Sequence, residues 1–139
     1  MVWFRQTPVC MYDAGKPHPG LSMPKLGWGA SVVSGTTVIR RSAMGISQDG
    51  KTIFVGLGNA VTGKTMAEAM VHVGSHWVAQ LDVNFSFPKF LTYKYKDGTK
   101  ELEAVPLTPK FEFHEQQYVG RRSHRDFFYL VRKEPTKAN

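Results

Sequence analysis

The chain has 139 residues, a formal net charge of +7 and a pI near 9.7; 42% of its residues are hydrophobic and 21% charged. That composition excludes a disordered chain and is long enough for one domain with a real core. A single cysteine excludes an internal disulfide framework and disfavours a cysteine-ligated zinc site.

The first residues, Met1-Val2-Trp3-Phe4-Arg5-Gln6, lack the basic start and apolar stretch of a signal peptide, and no apolar run is long enough for a membrane helix. Cys10 lies in the apolar stretch Val9-Cys10-Met11-Tyr12, which favours a packed, inert thiol over a nucleophile. A loop rich in Gly and Pro follows from Gly15 to Leu26 and closes on Gly27-Trp28-Gly29.

From Ala30 the pattern becomes β. Ala30 to Val33 and Thr37 to Arg40 suggest a hairpin around Ser34-Gly35, and the second strand continues through Ala43 and Met44 to Ile46. Asp49-Gly50 predicts a tight turn, with Thr52 to Leu57 returning as the partner strand. Strand neighbours face opposite sides, so only one of Arg40 and Arg41 is expected to serve a site, the other facing solvent.

Thr65 to Val73 predicts the principal helix: Thr65 caps it, Glu68 completes a capping box, Met66, Ala67, Met70, Val71 and Val73 form the apolar side, and Gly74 stops it. Trp77 to Val83 reads as an apolar strand interrupted only by Gln80. Phe85 to Tyr95 reads as another, kinked at Pro88. Asp97-Gly98 is a second hairpin turn, Glu101 to Leu107 is short and mixed, and Phe111 to Tyr118 is ambiguous. Asp126 to Arg132 predicts a final strand before the polar tail at 134–139. The expectation is one α+β domain over 1–139: a twisted, mainly antiparallel sheet with one helix packed on it.

The charge favours anionic partners. Arg121, Arg122, His124, Arg125, Arg132 and Lys133 form the densest basic cluster, but no RNP-like motif, basic helix or helix-turn-helix pattern accompanies it, so a solvated surface is preferred to nucleic-acid binding. Residues 58–65 satisfy G-x-x-x-x-G-K-[ST] between a strand and a helix, with Lys64 and Thr65 in the phosphate and magnesium positions. The alternative is a turn and helix cap, because the preceding strand looks like half of an antiparallel hairpin. His72 and His76 are four apart with Gly74 between them, and His114-Glu115 lacks the second histidine of a zinc-protease motif.

Arg41 and Asp82 each end a buried-looking strand segment, and a helix between the segments would bring them together. An acid emerging from an apolar run is either a catalytic or ligand group or a turn residue paired with an arginine. Asn84, one pleat further on, is expected on the side of Asp82. Arg125-Asp126 at the entry of the last strand is read first as an ion pair or a solvated strand entry.

In this order the motifs resemble the phosphodiester glycosidase family, which includes the lysosomal enzyme that uncovers mannose 6-phosphate. The resemblance runs through Arg41-Ser42-Ala43-Met44-Gly45, the strand-turn-strand Ile46 to Leu57, the helical segment Thr65 to Gly74, and Val78-Ala79-Gln80-Leu81-Asp82-Val83-Asn84-Phe85-Ser86. Val83, Asn84 and Phe85 stand where three glycines are usual. A bacterial subgroup with leucine-aspartate-hydrophobe-asparagine is closer, and it also matches Arg5-Gln6, the loop Asp13 to Pro17, Trp28-Gly29 and Arg125-Asp126-Phe127-Phe128. Proteins of that subgroup run longer at the N-terminus, so the resemblance implies a C-terminal portion or a shortened relative.

It further implies hydrolysis of a sugar phosphodiester or related exported glycan, in the cell envelope or outside the cell. Arg41 would bind phosphate, Asp82 would act as acid/base or nucleophile, and Asn84 would orient the ligand. Arg5, Ser86 and Arg125 are further substrate-binding candidates. A calcium or magnesium ion at Asp82 suits its oxygen ligands. The alternatives are a non-catalytic module binding glycan or anion, and a nucleotide-binding protein using residues 58–65.

Overall fold

The structure, a computed structural model, describes residues 10–22, 36–122 and 127–132. Its main sheet has five strands in the order β2-β1-β5-β3-β4: β1 (Cys10–Asp13), β2 (Lys16–Pro17), β3 (Ile39–Ile46), β4 (Ile53–Val61) and β5 (Trp77–Val83). All pairings in it are antiparallel. One helix, α1 (Gly63–His72), packs on β3, β4 and β5. A separate antiparallel pair, β6 (Leu91–Tyr95) and β7 (Leu102–Pro106), completes the described strands. The fold is therefore α+β, a mainly antiparallel sheet carrying one helix.

The hairpin turns form where Asp-Gly supplies them: Gly50 and Gly98 have φ of 71° and 73°. In the first turn Asp49 accepts from the Ser47 hydroxyl and the Lys51 N–H, and these bonds hold its carboxyl below the usual carboxylate range. The helix begins at Gly63, two residues before the expected Thr65, and its cap moves by three. Thr62, not Thr65, is the cap, and its hydroxyl accepts from the Thr65 N–H at 3.0 Å. Because β4 runs to Val61, Thr62 is the first residue able to leave the ladder.

The core is small and rich in methionine: Met66, Ala67 and Met70 of α1 bury against Ala43, Val78 and Met11. The helix sits close because β4 carries glycine, not a side chain, beneath Met66 and Met70. A Cβ on Gly56 would lie 2.6 Å from the Met70 sulfur and 3.0 Å from that of Met66.

Two predicted strands differ. The strand expected from Phe85 is confined to Leu91–Tyr95, because Asn84 accepts from the N–H groups of both Ser86 and Phe87 and curls the chain into an Asx turn. The described part of the expected final strand is not one: Phe127 to Arg132 is irregular, with Phe127, Tyr129, Leu130 and Val131 exposed, and Asp126 lies outside the described residues. Strand propensity is satisfied only against a partner strand, and among the described residues this segment has none. The expected strand at Ala30 to Val33, Trp28-Gly29 and the tail at 134–139 lie outside the described residues.

Candidate functional site

β3 lies between β4 and β5, so both of its neighbours constrain Arg41. Arg41 pairs with Gly58 on one side and Val83 on the other, and its side chain is fully buried. The guanidinium spends its donors on the protein: Nε on the Val61 carbonyl at 3.2 Å, Nη1 on Gln80 Oε1 at 2.9 Å, and Nη2 on the Thr37 carbonyl at 2.9 Å. Burial lowers its pKa from the ordinary guanidinium value. Gln80 is fully buried too, and its Nε2 has no hydrogen-bond partner among the described residues. In the sequence Gln80 reads as an interruption of an apolar strand. It is the polar residue that β5 aims at Arg41.

Asp82 comes close to Arg41 along the chain path but falls out of phase with it. Ala43 pairs with Gln80 and Arg41 with Val83, so Leu81 and Asp82 together oppose Ser42. This is a bulge, and a one-residue offset exchanges the faces of a strand. Arg41 keeps phase with Gln80 and Val83; Asp82 keeps phase with Ser42, whose hydroxyl donates to the Asp82 carbonyl at 2.7 Å. Asp82 is half-buried. Asn84 is committed to its turn, with Oδ1 accepting at 3.0 Å from Ser86 and 2.7 Å from Phe87. Ser86 is half-buried beside it. Arg5 and Arg125 lie outside the described residues.

Arg40 does not face solvent, contrary to the expectation from strand alternation. It is 5% exposed. Its guanidinium lies between the rings of Phe85 and Phe111, 4.3 and 4.2 Å from their centroids. It also donates to Asn59 Oδ1, the Phe85 carbonyl and the Lys110 carbonyl. Both arginines are buried because both faces of β3 are covered at this point, one by α1 and the other by the segments around Phe85 and Lys110. The ring contact is sequence-distant, so no local pattern announces it.

The phosphate-loop pattern takes a different form here. Gly58 to Val61 belong to β4 and pair with β3, and only Thr62 separates them from the helix. Lys64 is exposed and lies 3.7 Å from Glu68 on the next turn. His72 ends α1, whereas His76 packs edge-on against Trp77 with ring centroids 4.5 Å apart. No three His, Cys, Asp or Glu side chains among the described residues gather in a way that could hold a metal ion. Asp82 therefore belongs to no such group among the described residues. Cys10 is half-buried; its thiol donates to the Tyr12 carbonyl at 3.5 Å, and burial, aided by the charge of Asp13, pushes its pKa up.

No family model matches the chain, and neither a curated protein nor a solved structure matches it.

Proposed function

We propose that this chain is a non-catalytic module that binds an anionic glycan or sugar phosphate. In this reading its motifs resemble those of the phosphodiester glycosidases, but the chain does not turn substrate over. The observation that carries this reading is the state of Arg41: it is fully buried, with its donors on Gln80, Val61 and Thr37. A guanidinium so engaged is withdrawn from a phosphate group, which needs those same donors.

Binding would then fall to the exposed surface, where the excess of positive charge attracts an anionic polymer. Tyr93 and Tyr95 alternate onto one face of β6 and are 43% and 63% exposed. The Tyr93 hydroxyl donates to the Gln117 carbonyl at 3.3 Å, which holds one ring in place as a stacking platform. An envelope or extracellular setting, as the resemblance implies, suits this role.

The pairing of Arg41 with Val83, one residue from Asp82, favours a second reading as a sugar-phosphodiester hydrolase. In it Arg41 holds phosphate, Asp82 serves as acid/base or nucleophile and Asn84 orients the sugar.

One pair of measurements separates the two readings. Calorimetric titration with a phosphorylated oligosaccharide should show binding that Tyr93→Ala/Tyr95→Ala weakens, without release of aryl alcohol from an aryl phosphodiester of a sugar. Turnover abolished by Asp82→Asn would replace the module with the hydrolase. Neither binding nor turnover would remove both.

A further inference from the structure

Two features face solvent although each carries the chemistry of a sheet interior. The first is the outer edge of β4. Among the described residues the sheet ends there, with no strand paired to its far side. In an antiparallel ladder, alternate residues turn their N–H and C=O groups away from the partner. The Ser47 N–H donates to the Thr52 carbonyl, and the Ile46 carbonyl accepts from His76, on the β5 side. Ile53, Val55 and Leu57 therefore present their peptide groups outward. From Ile53 to Gly58 this edge has no proline, charge or bulge, the devices by which edges are normally blunted. The distortion at Ala60, φ 124°, comes only after that stretch.

The second feature is Phe127-Phe128-Tyr129-Leu130-Val131. Five consecutive apolar residues fit a strand covered on both faces. They are 53%, 37%, 76%, 72% and 79% exposed, and Tyr129, Leu130 and Val131 make no backbone hydrogen bond to another described residue. The three rings alone leave roughly 300 Å² in water, taking about 200 Å² per aromatic side chain.

We propose that residues 127–131 of one copy add as a strand to the Ile53–Gly58 edge of a second copy, reciprocally, giving a two-fold dimer joined by β-augmentation. The area supports two copies: two segments on two edges bury about 1,200 Å² from the aromatic rings and the surface they cover, which reaches the range of stable interfaces before Leu130 and Val131 are counted. Each copy carries a net charge of +7, so added salt strengthens the dimer by screening repulsion. An anionic membrane would show the opposite dependence.

Sedimentation equilibrium of the full chain tests this. The expected result is a monomer–dimer equilibrium tightened by salt and weakened at least about tenfold by each of two changes. Val55→Pro removes an outward N–H without breaking the β3–β4 ladder, a placement proline tolerates. Tyr129→Lys/Val131→Lys alters exposed side chains only. Circular dichroism checks that both variants keep the fold. A chain that stays monomeric at all concentrations overturns the proposal, as does a dimer indifferent to both changes. So does a monomer with the 129–131 amides protected from hydrogen exchange, or one that instead binds anionic vesicles through this segment.

Discussion

Replacing Arg41 with methionine tests whether the guanidinium is a structural pin or a ligand-binding group. The substitution keeps an unbranched side chain of similar reach and removes every donor. It leaves the buried Gln80 Oε1 unpaired and takes a charged donor from the carbonyls of Val61 and Thr37. Each buried acceptor left unpaired costs about 1–3 kcal/mol. Relief from burying a charge and the apolar contacts of methionine offset part of that loss. The net expectation is a loss of about 3 kcal/mol, a large share of the roughly 5–15 kcal/mol that holds a domain together. In urea, with a slope of about 2 kcal/mol/M, the midpoint should fall by about 1.5 M at unchanged slope. Adding Gln80→Leu removes the stranded Oε1 and the unpartnered Nε2 together, so the double variant should recover about 1–2 kcal/mol over Arg41→Met. A midpoint that hardly moves, or rises, would refute the reasoning: the arginine would then be kept at the expense of stability, as groups that bind ligands often are.

Three further outcomes follow from the same packing. Gly56→Ala sets a methyl group against the sulfurs of Met70 and Met66 and should cost about 1–3 kcal/mol, seen as a lower thermal midpoint with α1 still formed by circular dichroism. Thr62→Ala removes the cap on the Thr65 N–H and should cost about 1 kcal/mol, whereas Thr65→Ala leaves that cap in place and should cost clearly less. Burial and Asp13 both raise the Cys10 pKa and thin its thiolate at neutral pH. Iodoacetamide should therefore react more slowly than with an unfolded control, and the rate should rise only at a pH above the usual thiol range.

The elements read most easily from the sequence were those set by local chemistry. Asp-Gly fixed two turns, and the spacing of Met66, Ala67 and Met70 fixed the buried side of the helix. Its first residue was misplaced because two threonines, 62 and 65, both suit a cap. The glutamate at 68 favoured the later one, whereas the length of β4 selects the earlier. The site was harder to read because it depends on pairing. Strand alternation puts Gln80 and Asp82 on one side, but the bulge opposite Ser42 shifts the phase between them, and no residue in Leu81-Asp82 signals it. Alternation likewise predicted one buried and one exposed arginine; coverage of β3 on both faces buries both. The segment at 127–132 has every attribute of a strand except a neighbour among the described residues, and pairing lies beyond the reach of local propensity.

Arg40 has a consequence for motion. It grows from the larger sheet, yet its ring contacts and two of its backbone acceptors belong to Phe85, Lys110 and Phe111, the stretches that lead into β6 and out of β7. One planar cation thereby latches the tyrosine-bearing hairpin to the body of the molecule. The hairpin cannot swing outward without drawing that cation from between two rings and leaving its carbonyl partners bare, so displacement of the arm carries the loss of the Arg40 contacts with it.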